Sequence, residues 1–364
     1  MLQLLLQIYV AFALLLFTGL LALDARGLLK REGQGRESRA GYAPRVLVMM
    51  PCKGSDIGLY RNLRAAGRQS YRNYRLVAVL DKGDSAHGVV ARAGVSHIDS
   101  DAECRRCSGK VRALATAMER FRGYDIYVVL DSDELVARGW LERLVAPFAD
   151  RSVGASVMFP VFKPVDGSFW SHTKRVWGFV GQSLMESGIT RFVDGGSFAF
   201  RASLMDRKAL EFFKDSRYSV SDDICINTIV RRSGLAIAYD NAHHPTTQVR
   251  ETFATFWEWA NRQTALALFA YRRMLYYGLA YYLSEAVVFA TGVVGAALVS
   301  PLFALMLAHV AISFANNERR IGRDGSPAAT AAATVLLPFI YSVNLVVASR
   351  MGYITWRGTR YRLY

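Results

Sequence analysis

Asp131-Ser132-Asp133 sets two carboxylates one residue apart. On an extended turn such a pair can point the same way and share a hard divalent cation, Mg2+ or Mn2+, which takes oxygen ligands and leaves room for phosphate oxygens. The plainer reading is a helix cap, because acidic residues at strand ends often do no more than that. A second pair, Asp222-Asp223, opens a helical run ending near Arg232. Carboxylates in a first helical turn are expected from the helix dipole alone. Within hydrogen-bond reach of a hydroxyl, one of them would also serve as a general base. Asp194-Gly195-Gly196-Ser197 reads as a tight turn whose glycines admit a close approach to backbone. His243-His244-Pro245 offers an extra histidine to a metal or, equally well, makes a loop.

Such groups need a frame. Residues 45–50 (RVLVMM), 74–80 (YRLVAVL) and 125–130 (DIYVVL) are short, β-branched and nearly all apolar, as strands buried on both faces should be. Helical patterns at 57–69, 108–122 and 139–148 sit after them. The alternation predicts an α/β domain with a mainly parallel sheet and crossover helices. Ligands of such sheets bind at the carboxyl ends of the strands. Pro51, Asp81 and Asp131-Ser132-Asp133 all stand there, and Lys110 stands at the start of the second helical pattern.

Composition narrows the partners. The chain has 364 residues, 52% hydrophobic and only 21% charged, which excludes disorder and is too apolar for a soluble globule with tails. Its net charge of +15 rests on 45 basic residues, 8 of them Lys, spread along the chain with no run of five. That dispersion argues against nucleic acid and for an anionic membrane face or anionic substrate. Four cysteines make no disulfide framework and point to a reducing compartment. Cys104 and Cys107 form a lone CxxC without the further ligands of a closed zinc site, so all four read as structural or incidental thiols.

Residues 2–23 carry no charge, and a helix of that length spans the roughly 30 Å hydrocarbon core. Arg26, Lys30, Arg31, Arg36 and Arg39 follow, which puts the next segment in the cytosol by the positive-inside rule. More apolar stretches run over 275–299, 302–315 and 328–349, the middle one short for a span. The count of C-terminal crossings is therefore two or three, and a basic tail with Arg350, Trp356, Arg357, Arg360 and Arg362 ends the chain.

Taken together, VLVMMPCKG at 46–54, VLD ending at Asp81, SGKVRAL at 108–114, VVLDSD at 128–133, DGGSFAFR at 194–201, SDDI at 221–224 and WRGTRY at 356–361 resemble the nucleotide-sugar glycosyltransferases of family 2. In membrane layout the chain is similar to the ceramide glucosyltransferase-like branch. The resemblance implies a GT-A fold, a nucleoside-diphosphate sugar donor and a divalent metal. It implies contact of Pro51 and Asp81 with base and ribose, Lys110 near the nucleotide, Asp131 on ribose or metal, and Asp133 holding the metal against the diphosphate. It makes Asp223 the base of an inverting reaction, with Asp222 as helper or cap.

The resemblance frays at 252–273. Membrane-bound relatives carry QxxRW, whereas here Thr255 stands for Gln, Glu258 for Arg, and only Trp259 matches. Arg262, three residues on and on nearly the same helical face, is the substitute cation, and Trp259, Arg262 and Gln263 remain donor-site candidates. The aromatic content of this segment also suits an interfacial amphipathic helix.

The expected organisation is a transmembrane helix at 1–24, a basic linker at 25–42, a cytosolic catalytic domain at 43–250, an interfacial helix at 251–273, two or three transmembrane helices at 274–349 and a basic tail at 350–364. The expected activity is transfer of one sugar to a membrane lipid hydroxyl, ceramide-like or other, at the cytosolic face of a bacterial inner membrane or a eukaryotic ER or Golgi membrane. The alternatives are a polyprenyl-phosphate glycosyltransferase, a polysaccharide synthase, a lipid-nucleotide-forming nucleotidyltransferase and a non-catalytic membrane module.

Overall fold

Along the first strand, β1 (Val46–Cys52), successive side chains enter two different cores. Val46, Val48 and Met50 pack on one face, Leu47 and Met49 on the other, and all five are fully buried. A strand with two covered faces belongs in the middle of a layered α/β domain. The structure is a computed structural model that describes residues 1–29, 41–54, 56–321 and 326–363. Residues 30–40 of the expected basic linker lie outside them.

The strands that follow are β2 (Tyr74–Leu80), β3 (His97–Asp99), β4 (Ile126–Leu130), β5 (Glu134–Leu135), β6 (Val153–Val157), β7 (Val161–Pro164), β8 (Ser197–Arg201), β9 (Ala236–Tyr239) and β10 (Thr246–Val249). Seven of them form one sheet in the order β3-β2-β1-β4-β8-β6-β9. Only β8 runs against its neighbours, and the other pairs are parallel. A three-stranded sheet, β5-β10-β7, carries the short strand that follows the acidic turn.

The helices are α1 (Leu2–Leu29), α2 (Leu59–Ala66), α3 (His87–Ala93), α4 (Gly109–Arg120), α5 (Trp140–Val145), α6 (Phe169–Met185), α7 (Arg207–Asp215), α8 (Asp222–Arg232), α9 (Phe253–Ala270), α10 (Met274–Leu298), α11 (Ala308–Ile321) and α12 (Pro327–Ser349). Local chemistry sets several starts. Ser108 accepts from the Val111 amide to cap α4, Asp206 from Ala209 to cap α7, and Thr252 and Thr255 cap α9 reciprocally. A hairpin, β11 (Tyr353–Trp356) with β12 (Thr359–Arg362), ends the described chain. Arg357 and Gly358 at its turn have φ of 49° and 77°, the left-handed pair that a two-residue hairpin loop requires.

Two compact units emerge. One holds α1, the first part of α6 and α9 through α12; the other holds the three sheets with the remaining helices. Within the helical unit α1, α10 and α12 are long and apolar enough to cross a membrane. The middle apolar stretch is not a third C-terminal candidate. It forms a 3-10 segment, Pro301–Leu307, and then the 14-residue α11, which at about 1.5 Å per residue falls short of a bilayer core. Polar groups on these helices satisfy one another: Asn344 donates to Asn261 at 2.8 Å and accepts from Thr264 at 2.6 Å.

Two features differ from the sequence reading. Residues read as a basic tail form the hairpin and belong to the sheet unit, while the start of α6 belongs with the apolar helices. Cys104 and Cys107, read as structural or incidental thiols, are joined by a disulfide, while Cys52 and Cys225 are free and buried.

Candidate active site

Lys110 is the knot of the sheet unit. Its ammonium lies 2.7 Å from Asp131 Oδ1, 2.7 Å from the carbonyl of Gly195 and 3.2 Å from Asp222 Oδ2, so α4, the end of β4, the loop before β8 and the start of α8 meet on one atom. The side chain is 8% exposed. Burial works against its charge, but Asp131 and Asp222 outweigh that and hold it protonated above the ordinary lysine range. Burial raises both carboxyls in return, Lys110 opposing the rise. An ordinary exposed lysine at a helix start is therefore not what the chain builds.

Glu134, directly after the Asp131-Ser132-Asp133 turn, is 1% exposed, and its Oε2 has no hydrogen-bond partner among the described residues. Burial, then Asp131, Asp133 and Asp194, push its carboxyl far above the usual range. Gly196 makes room for it: a Cβ there would stand 1.9 Å from Glu134 Oε1. Neither Gly195 nor Gly196 has positive φ, so space, not backbone freedom, explains this glycine pair. A Cβ on Gly195 would lie 3.4 Å from Asp223 Oδ2 and 3.5 Å from Lys110 Nζ. Asp194 is pushed up to about 7 by burial and by Asp223.

Asp222 and Asp223 part company. Asp222 is 2% exposed and faces Lys110. Asp223 is half-buried, and its Oδ1 accepts from the Ile224 amide at 2.7 Å and from the Ser221 hydroxyl. The adjacent pair thus divides into a buried support and a carboxylate with one oxygen turned to the Gly195 side.

Around β1 and β2, Pro51 is the next-to-last residue of the first strand and pairs beside Val79. Asp81 is held by Arg112 at 2.7 Å and Lys53 at 3.7 Å. Asp56 accepts from Ser132 at 2.5 Å and from Arg357 at 2.6 Å, and Arg357 also donates to the Lys53 carbonyl at 3.2 Å. Tyr361 of the same hairpin accepts from the Gly109 amide at 3.3 Å, one residue before Lys110.

Asp131 and Asp133 are the hard oxygen donors of the turn after β4, and Asp131 also holds Lys110. Among the described residues no group of three His, Cys, Asp or Glu is arranged to hold one. Two carboxylates with substrate phosphates are nevertheless a usual Mg2+ arrangement. His243 faces Asp240 at 3.1 Å, and His244 lies with one ring nitrogen 2.8 Å from the Phe159 carbonyl and the other 3.2 Å from that of Asn241. Those contacts are those of loop residues. Trp259, Arg262 and Gln263 lie on α9 in the helical unit; Trp259 receives Lys174 over its ring at 4.5 Å, and Gln263 is exposed.

Sequence reasoning did not single out Lys53, Asp56, Arg112, Glu134, Ser221 or Arg357. The motifs contained Lys53, Arg112, Ser221 and Arg357, with Glu134 one residue and Asp56 two residues beyond a motif's end, but spacing along a chain does not tell which residues converge.

The mainly parallel sheet with carboxylates gathered at its strand ends agrees with the GT-A fold that the motif resemblance implies. The profile of Glycosyl transferase family 21 matches residues 9–364, and the chain belongs to that family; it is a glycosyltransferase. The number differs from the family 2 that the motifs resemble. Mannosyltransferase PcManGT from Pyrobaculum calidifontis, solved with GDP-mannose and Mn2+, is 18% identical and superposes with a TM-score of 0.56 over 93% of this chain and 97% of its own. Glucosyl-3-phosphoglycerate synthase from Mycobacterium tuberculosis, solved with Mn2+, UDP and glucosyl-3-phosphoglycerate, is 14% identical with a TM-score of 0.44, over 65% of this chain and 86% of its own. At such identity the likeness to PcManGT concerns the fold. Among curated protein sequences none matches.

Proposed function

We propose that this enzyme transfers one sugar from a nucleoside-diphosphate sugar to a hydroxyl of a membrane lipid, inverting the anomeric carbon, at the cytosolic face. The observation that carries the reading is the division of labour at Asp222-Asp223: Lys110 ties Asp222 into the frame, and Asp223 keeps a carboxylate oxygen on the Gly195 side. Asp223 takes the proton of the acceptor hydroxyl as its oxygen bonds to the anomeric carbon, and the bond to the diphosphate breaks with its electrons leaving on the nucleotide.

Asp131 and Asp133 would hold Mg2+ or Mn2+ with the diphosphate. When bound, the ion neutralises charge that develops on the leaving group. Arg357 and Lys53 supply further positive charge near that end of the sheet. Pro51 and Asp81 take the base and ribose side, and Arg112 orients Asp81. Asp194 and Glu134 line the same cluster as carboxyls raised by burial.

Three helices of membrane-crossing length and composition support a lipid acceptor over a soluble one. A ceramide-like or other neutral lipid hydroxyl needs a base, which Asp223 offers; a polyprenyl phosphate is already ionised and does not. The α9 residues Trp259, Arg262 and Gln263 serve the acceptor's approach in this reading.

The test incubates membranes carrying the protein with labelled nucleotide sugars and Mn2+, then extracts lipids for mass spectrometry. A new neutral glycolipid, lost in EDTA, is the expected result. Transfer only to endogenous lipid phosphate, or release of pyrophosphate, overturns the reading.

A further inference from the structure

Ser221 stands at the N-cap of α8, where a serine hydroxyl ordinarily accepts from an amide of the first turn. Here it makes no such bond. Its hydroxyl instead donates to Asp223 Oδ1, the oxygen that also accepts from the Ile224 amide at 2.7 Å. Ser221 is 6% exposed and anchored through its own amide, which donates to the Tyr218 carbonyl at 2.9 Å. Two donors therefore meet one carboxylate oxygen, one from backbone and one from a buried side chain. Oδ2 accepts no hydrogen bond among the described residues and lies on the Gly195 side.

We infer that Ser221 is a positioning residue for the reaction: its hydroxyl fixes the Asp223 carboxylate so that Oδ2, and not Oδ1, faces the acceptor. The inference rests on Asp223 being the base. A carboxylate held by the Ile224 amide alone can still swing about χ2, and general-base efficiency depends on holding the accepting oxygen within hydrogen-bond distance. A capping serine would protect the helix; this one orients the carboxylate.

Steady-state kinetics and thermal unfolding of detergent-solubilised protein decide it. Ser221→Ala should lower kcat about tenfold, the scale of one charge-assisted hydrogen bond, with both KM values and the unfolding temperature little changed. Ser221→Thr, which keeps a hydroxyl, should restore most of the rate. In an Asp223→Asn background the same Ser221→Ala change should cost nothing further. Wild-type kcat in Ser221→Ala, failed rescue by Thr, or an equal loss in the Asp223→Asn background overturns the inference while leaving the base assignment intact. Normal turnover in Asp223→Asn alone overturns the base assignment itself.

Discussion

Two lysines with nearly buried side chains, Lys110 8% and Lys174 10% exposed, do different work. Lys174 in the helical unit pairs with Glu251 at 2.6 Å and lies over the Trp259 indole. Lys110 in the sheet unit faces Asp131 and Asp222 and shares its surroundings with Glu134, Asp194 and Asp223. A cation tied to a carboxylate compensates burial and helps hold the helical unit together. A cation surrounded by an excess of carboxylates leaves a region that still favours positive charge, and that surplus makes the Lys110 neighbourhood fit for a metal and a proton.

The largest effect that could break this contrast is kinetic. Asp223→Asn should lower turnover by roughly 10² to 10⁴ without lowering the unfolding temperature much, because the loss is of proton acceptance in the transition state. Glu251→Gln should do the reverse, lowering the unfolding temperature while leaving the turnover of folded enzyme near normal. Similar kinetic losses in both would show that the two lysines do not differ in kind.

Next in size is the knot itself. Lys110→Met removes one partner from a buried ion cluster, a change that costs about 3–5 kcal/mol when the other charge stays unpaired. Asp131 and Asp222 both have raised carboxyls, so they take up protons in weak acid and relieve the penalty. Unfolding of Lys110→Met in EDTA should therefore lag wild type more at pH 8 than at pH 5. An equal deficit at both values would make the lysine a packing residue.

Gly196→Ala comes third. The new Cβ has no room beside Glu134 Oε1, and overpacking of this kind typically costs about 1–3 kcal/mol. Shortening the neighbour in a Gly196→Ala, Glu134→Ala double variant should recover part of the loss, measured as additivity of unfolding temperatures. Full additivity would mean that the two residues do not meet.

How much of this was legible in the chain depends on the range of the interaction. The strands at 46–52, 74–80 and 126–130 could be read from contiguous apolar residues because burial on both faces leaves that mark. The start of α8 at Asp222 was marked by its acidic pair. The role of Lys110 was not readable, since its partners come from residues 131, 195 and 222 and no local pattern ties them. The β11–β12 hairpin was written in alternating residues about an Arg-Gly turn, but its arginines drew the eye to charge first. The segment from Pro301 was ambiguous because apolar composition alone does not distinguish a short helix from a span.

The smallest expected effect concerns Asp194 and needs its sign worked out. Its carboxyl is raised from 3.8 to about 7 by burial and by Asp223, so between those values the folded protein binds more protons than the unfolded one. Stability then falls as pH rises through that window and levels off above it. Partial exposure lets solvent screen part of the effect, which keeps it small. Asp194→Asn cannot acquire the charge, so in EDTA its unfolding temperature should decline less steeply between pH 4 and pH 7 than that of wild type, and the variant should be the more stable of the two at pH 8. A parallel pair of curves would show that Asp194 ionises as freely in the fold as outside it. In the presence of Mn2+ the wild-type slope should flatten, because a cation bound at Asp131 and Asp133 would offset the surplus negative charge on which the contrast between the two lysines rests.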